Sequence, residues 1–311
     1  MPELRLPLDR PIDLVLTLRP LYRGRADPTM RLADHQAERV GRNADGAYGL
    51  RIWRSGTDAE AEIRAAAWGP GADRALAWLP ALLGLDDDDA GFDPDRHPVV
   101  ARLARELRGL RIGRTGALLE ALLPAILEQK VTGAEALHAY RGLIARYGEP
   151  APGPLGLRLP PAPAILAALP YYDYHAVGLE QRRAELIRRV ARDAPELERL
   201  AAGGPGPLDP RSFEAASRQL QAYAGIGPWT AAEVLHRAMG DPDAVSVGDF
   251  HLPNLVAWAL AREPRADDAR MLALLEPWRG QRGRVIRLLE ASGIAVPRFG
   301  PRLSPRSIAD L

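Results

Sequence analysis

The stretch Leu220 to Asp249, LQAYAGIGPWTAAEVLHRAMGDPDAVSVGD, decides the fold. A helix-like segment runs into Gly225-Ile226-Gly227, a second begins at Pro228-Trp229-Thr230 and ends near Gly240, and Asp249 stands eight positions after Asp241. Glycines at Gly225 and Gly227 supply the positive φ angles and close backbone approach that a short turn between helices needs. Pro228 suits the first turn of the next helix, where its missing N–H has no partner to lose. Such a hairpin leaves backbone N–H groups free at the positive end of a helix dipole, a seat for a phosphate that grips a nucleic-acid backbone without reading bases. Leu220, Tyr223 and Ile226 surround the glycines with apolar contacts, and Ala231 and Ala232 are small enough to let two helices pack closely.

This pattern resembles the helix-hairpin-helix, Gly/Pro-rich loop and aspartate signature of the HhH-GPD DNA glycosylase superfamily. Within it, Gly225 to Ala231 is most similar to the bacterial 3-methyladenine DNA glycosylase II group. The similarity runs over roughly Gly113 to Glu290. It implies a mainly α fold, an all-helical glycosylase in two lobes preceded by an α+β antiparallel-sheet domain. Residues 1–90 would form that sheet domain and 91–311 the helical domains, with the hairpin at 220–232 and an aspartate loop at 241–253. Asp249 lies 20 positions after Trp229 (249 minus 229), matching the family's separation between hairpin tryptophan and catalytic aspartate. The resemblance further implies a base pocket at Trp229, Glu233 and Arg287, DNA contacts at Gln129, Lys130, Gly225, Gly227 and Thr230, and no organic cofactor. A monovalent cation would sit on the backbone carbonyls of Gln221, Tyr223 and Ile226. Four positions depart from the pattern: Lys130 stands where an apolar wedge belongs, Glu233 where a tyrosine does, Arg287 where a stacking tryptophan does, and Gly248 where a second aspartate is common.

The chain has 311 residues, 33.8 kDa and 47% hydrophobic residues, enough for two or more domains. With 0 cysteines it excludes disulfides, zinc–thiolate sites and a cysteine-held iron–sulfur cluster. A net charge of +1 does not by itself announce a nucleic-acid binder, and Lys130 is the sole lysine among otherwise arginine cations. No apolar run approaches a membrane span and the N-terminus MPELRLPLDR has no signal-peptide core, so a cytoplasmic monomer without membrane contact is expected.

Along the chain, Ile12 to Leu18, Gly49 to Trp53 and Glu62 to Ala65 read as strands, with a turn at Asn43 to Gly46. Ala72 to Leu83 reads as one helix closed by Gly84, and Asp86 to Asp89 as a solvated linker. Helical patterning begins at Pro98, with apolar faces at Leu118, Leu122 and Ile126 and at Leu137, Tyr140 and Ile144. Glu149 to Pro163, with six prolines, reads as a connector, and Tyr171 to His175 as an aromatic cluster on the core. Leu252, Leu255, Val256 and Ala259 form the buried face of a helix just after Asp249.

The implied function is a DNA repair glycosylase that extrudes an alkylated purine and hydrolyses its N-glycosidic bond. Asp249 would stabilise the oxocarbenium-like sugar. Relatives with lyase activity carry a lysine in the second hairpin helix; Trp229-Thr230 occupies that place here, which implies a monofunctional enzyme. The partner is double-stranded DNA containing a damaged base. Two alternatives stay open: a catalytically silent damage-recognition or DNA-binding protein, and a glycosylase for oxidised or deaminated bases, which Glu233 and Arg287 would suit.

Overall fold

The computed structural model describes residues 2–56, 61–201, 206 and 208–297. Near the N-terminus β1 (Glu3–Pro7), β2 (Met30–Ala33), β3 (Gln36–Asn43), β4 (Gly46–Ser55) and β5 (Glu62–Trp68) form an antiparallel sheet in the order β1-β5-β4-β3-β2. The expected turn joins β3 to β4, where Asn43 Oδ1 accepts the Asp45 N–H at 3.0 Å. Leu50, Ile52, Ile63 and Ala65 point inward, as the period of two requires.

Ile12 to Leu18 is not the strand its composition suggests. It forms the short helix α1 (Leu14–Leu18), because the Asp13 carboxylate accepts the Leu16 N–H at 2.9 Å and caps the first turn. The helix expected over 72–83 is two, α2 (Ala72–Ala77) and α3 (Leu79–Leu82), broken where Pro80 cannot donate to the preceding turn.

The four-aspartate run departs most from expectation. Asp87 grips Arg284 with both oxygens at 2.8 and 2.6 Å and accepts the Ile112 N–H at 3.1 Å, with the two side chains only 4% and 5% exposed. Asp86 accepts from Arg114 at 2.9 Å and from the Gly206 N–H at 2.8 Å. The first half of a charge run that reads as solvated becomes a junction because arginines from distant segments converge on Asp86 and Asp87, while Asp88 and Asp89 stay exposed.

Twelve more helices follow among the described residues: α4 (Pro98–Glu106), α5 (Leu118–Leu127), α6 (Gly133–Tyr147), α7 (Pro163–Ala168), α8 (Tyr171–His175), α9 (Gln181–Arg192), α10 (Ala194–Glu198), α11 (Pro210–Gln221), α12 (Pro228–Val234), α13 (Leu252–Ala261), α14 (Asp268–Leu275) and α15 (Arg282–Ala291). In α5 every residue but Glu120 is buried, and it packs against α6, α9, α10 and α12. Its first N–H groups, at Leu118 and Leu119, meet the carboxylate of Glu198 at 2.8 and 2.9 Å, so the helix start is satisfied without leaving the core. α4, α13, α14 and α15 enclose a second core around Val100, Leu103, Val256, Met271 and Val285.

The proline-rich connector carries a two-stranded ladder, β6 (Glu149–Pro150) with β7 (Arg158–Leu159), and lays Leu155, Leu157 and Leu159 on Val40 of β3. In α8, Tyr174 is fully buried and its hydroxyl donates to Leu166 O at 2.5 Å, while Tyr172 points outward. No described helix is long and apolar enough to cross a membrane.

Breaking the Asp87–Arg284 pair from one side strands a buried charge. Arg284→Leu is expected to cost about 3–5 kcal/mol in urea unfolding. Arg74→Ala, which breaks the exposed Asp45–Arg74 pair, should leave the urea midpoint almost unchanged.

Candidate active site

The hairpin between α11 and α12 depends on one glycine. Gly225 has φ +109°, and a Cβ there would stand 3.1 Å from the Leu186 side chain on α9, so a side chain is both strained and crowded. Gly227 differs from expectation: its φ is −97°, in the extended region, and the space beside it is open. Pro228 opens α12 as expected, and no side chain caps the helix start.

The turn between α5 and α6 braces the hairpin from below. Gln129 Nε2 donates to Gly225 O and to Thr230 Oγ1, both at 2.9 Å. Gln129 and Thr230, expected among the DNA contacts, bind each other here, with Thr230 buried and Gln129 half-buried. The amide of Gln129 satisfies a carbonyl and a hydroxyl that the hairpin would otherwise leave without partners. Lys130 is exposed and takes a left-handed φ of 55°, beside the hairpin.

Two further bonds fix the hairpin to its neighbours. Arg189 donates to Ala224 O at 2.5 Å and the Tyr223 hydroxyl to Asp193 at 2.9 Å. Tyr223 O accepts the Ile226 N–H at 2.9 Å, within the turn. The side chains of Arg189 and Gln129 take the carbonyls of Ala224 and Gly225, and of the three carbonyls expected to hold a cation that of Tyr223 accepts the Ile226 N–H.

The aspartate loop lies along one stripe of the second hairpin helix. Trp229, Glu233 and Arg237 are spaced four residues apart, so they share a face of α12 and of the π turn Leu235–Met239 that continues it. Trp229 Nε1 donates to Asp249 Oδ2 at 3.0 Å. The other oxygen, Oδ1, accepts the N–H groups of His251 and Leu252 at 2.7 and 2.8 Å, at the start of α13. The helix-capping role and the indole contact thus coexist, and three N–H donors hold the half-buried carboxylate in one orientation. Glu233 Oε1 accepts the Ser246 hydroxyl at 2.5 Å, and Oε2 pairs with Arg237.

Outside the stripe, Asp243 holds Arg282 and the Gly280 N–H, and Asp268 accepts the Gly248 N–H at 3.0 Å, so the loop is tied to α15 and α14 as well. Sequence reasoning did not reach Ser246, Arg237 or Asp243. Arg237 alone had a legible signal, a Glu-to-Arg spacing of four on one helix face. Phe250, also overlooked, is 79% exposed next to Asp249, with its ring edge-to-face on His251 at 4.9 Å.

Arg237 also lines a small recess with Arg23, Thr29, Arg39, Glu120 and Tyr140, between the sheet and α5. Arg23 pairs with Glu128 at 2.9 Å, and burial pushes the Tyr140 hydroxyl far above its usual range, so it remains a donor. Arg287 does not pair with Glu233. It donates to Glu290 at 2.8 Å and to Leu16 O at 3.1 Å, and faces an adjoining recess with His236 and Arg237. Arginine, carboxylate and tyrosine hydroxyl groups therefore form much of the lining of these two recesses, which Arg237 joins to the stripe that carries Trp229.

No family model matches the chain. Over 185 residues it is 34% identical to a Mycobacterium tuberculosis protein described as a probable bifunctional transcriptional activator/DNA repair enzyme AlkA, covering 57% of this chain and 35% of that one. Over 188 residues it is 28% identical to a DNA-3-methyladenine glycosylase of Bacillus subtilis, covering 58% of this chain and 59% of that one. The chain thus spans about a third of the first relative's length and less than two thirds of the second's. The 3-methyladenine DNA-glycosylase structure from Archaeoglobus fulgidus is similar with a TM-score of 0.75 over 92% of this chain and 97% of that one, at 19% identity. A Clostridium acetobutylicum 8-oxoguanine glycosylase/lyase, in complex with double-stranded DNA, reaches 0.62 over 94% and 99%, at 13% identity. The architecture is that of the helix-hairpin-helix DNA glycosylases.

Two groups beside the stripe, the half-buried His236 and the buried Asp241, are shifted in opposite senses for stability. Burial, with Arg287 and Arg237 nearby, lowers His236 from 6.5 to about 3, so its imidazole is neutral at physiological pH. Its contribution to stability is complete above pH 6.5 and is lost as the pH falls toward 3. Burial raises Asp241 from 3.8 to about 6, against the bond it accepts from the Asp243 N–H. Its contribution is complete below pH 3.8 and is lost as the pH rises through about 6. Asp241→Asn, which keeps the acceptor, is expected to raise the urea midpoint at pH 7.5 and to change it far less at pH 4.

Proposed function

We propose that this protein is a monofunctional DNA glycosylase that removes alkylated purines from double-stranded DNA, acting as a monomer. The observation that carries the reading is the Asp249 carboxylate. It is held by the indole of Trp229 and the first N–H groups of α13, one helix away from the hairpin. The hairpin and Lys130 grip phosphates of the damaged strand, and residues 1–90 form a sheet domain against the helical remainder. The extruded base enters beside Trp229, whose face attracts the positive charge of an alkylated purine. As the glycosidic bond lengthens, positive charge develops on the sugar, and Asp249 stabilises it and orients the attacking water.

Asp249 does its work from a preset position. Its three N–H donors prevent the carboxylate from turning toward solvent, so little reorganisation accompanies the reaction. Lys130 is the sole lysine, and Trp229-Thr230 stands where a Schiff-base nucleophile would be, which supports hydrolysis without strand cleavage. A monovalent cation on the carbonyls of Gln221, Tyr223 and Ile226 would add positive charge under the phosphates held by the hairpin. The names of the mycobacterial and Bacillus relatives are in keeping with DNA alkylation repair.

The recess lined by Arg23, Arg39, Glu120 and Tyr140 favours a second reading, in which an oxidised or deaminated base is read by hydrogen bonds. Purine-methylated duplex DNA distinguishes the two. Wild type is expected to release 3-methyladenine and 7-methylguanine, to leave the strand intact and to give no borohydride-trapped adduct. Asp249→Asn should bind the DNA yet release base about a hundredfold more slowly. Binding without release of methylated purines, followed by release of an oxidised or deaminated base, would establish the second reading. No release of any base would leave a silent recognition module.

A further inference from the structure

We propose that Glu233 is a positioning residue for Asp249, the inner clamp of the aspartate loop, and not a wall that the base touches. The proposal rests on the glycosylase reading above. Two rungs join the loop to the α12 stripe. The outer rung is Trp229 Nε1 to Asp249 Oδ2 at 3.0 Å, and the inner rung is Ser246 Oγ to Glu233 Oε1 at 2.5 Å. Ser246 and Asp249 are themselves bonded, since the Asp249 N–H donates to Ser246 O at 3.2 Å. A displacement of Ser246 is therefore passed directly to the backbone of Asp249.

The clamp continues inward. Arg237 pairs with Glu233 and donates to Glu233 O at 3.1 Å, while its Nε donates to Pro20 O at 3.0 Å. The order of connection is Pro20, Arg237, Glu233, Ser246 and Asp249, which links the N-terminal segment to the reacting carboxylate. Thr115 N–H donates to Arg237 O at 3.0 Å, securing the π turn that aims the guanidinium.

A carboxylate suits this place for a specific reason. The position must accept from a serine hydroxyl on one side and neutralise a buried guanidinium on the other, and two separate oxygens do both. A phenol would offer one oxygen and no charge. Because each oxygen already has a partner, the side chain is committed to the loop.

Other ties hold the ends of the loop. The Asp241 N–H donates to Leu235 O at 3.3 Å at its start, and Asp243 to Arg282 and Gly248 to Asp268 fix its edges on α15 and α14, while the Ser246 rung is the one next to Asp249 that sets its depth over α12. Depth is the coordinate that carries Asp249 toward or away from a sugar held beside Trp229. Loss of the inner rung should therefore slow the chemical step and leave DNA grip, which belongs to the hairpin, intact.

The test uses the full chain with Ser246→Ala, Glu233→Gln and Glu233→Ala. Ser246→Ala removes the rung without touching a buried charge, and the glutamine retains an oxygen for Ser246. Single-turnover base release is measured on purine-methylated duplex at saturating protein, with affinity measured on duplex bearing a tetrahydrofuran abasic analogue. Expected are a fall of about ten- to hundredfold in the release rate for Ser246→Ala and Glu233→Ala, affinity within about twofold of wild type, and partial recovery in Glu233→Gln. The ratio of 3-methyladenine to 7-methylguanine release should not change.

Hydrogen exchange of the amides of Asp249, His251 and Leu252, read without DNA, should accelerate in Ser246→Ala. This arm needs no turnover, so a wild type that releases no base defeats the glycosylase reading while the exchange still judges the clamp. Unchanged exchange and wild-type release in Ser246→Ala would overturn the proposal. So would a loss confined to one of the two bases, which would make Glu233 a base contact.

Discussion

The constraint on which the structure depends is that every guanidinium withdrawn from water must meet an acceptor. Nearly all the cations of this chain are arginines, whose charge cannot be relieved by deprotonation. Arg39 meets Glu120, Arg23 meets Glu128, Arg114 meets Asp86 and Arg284 meets Asp87, each pair joining segments far apart in sequence. Such pairs add little net stability over apolar packing, but one broken partner is expensive, so they penalise alternative arrangements. They join the N-terminal sheet and its following loop to the helices.

The same constraint shapes the cleft. Arg237 must be neutralised where it leaves the π turn, and Glu233 does this while holding Ser246. The aspartate loop is thereby seated by a network that also touches the N-terminal segment at Pro20. The contacts that seat the loop are thus also contacts of the N-terminal segment. The recesses next to this network are lined largely by charged and polar groups, and Trp229 is the aromatic side chain in contact with the candidate carboxylate.

Local chemistry made much of the fold legible. The turn at Asn43 to Gly46, the helix-opening Pro228 and the apolar periodicity of α5 and α6 each express a rule acting within a few turns of chain, whereas the spacing from Trp229 to Asp249 was legible through the family resemblance. The misreadings have two causes. Asp13 capped a segment whose composition favoured a strand and Pro80 split a helix, local signals that overrode composition and periodicity, whereas Arg284, 197 positions away, buried an aspartate that looked solvated.

By itself the sequence determined the helical hairpin, the glycine with positive φ at Gly225, the carboxylate ahead of α13 and the absence of thiol chemistry, because each follows from the intrinsic geometry or chemistry of the residues involved. Only the tertiary structure decided how the side chains were used. Gln129 and Thr230 turned inward to satisfy each other and the hairpin, Glu233 took Ser246 and Arg237, and Arg287 took Glu290. The reason is that a buried polar atom binds the partner packing brings within reach, and that partner is chosen by the fold as a whole, not by sequence spacing.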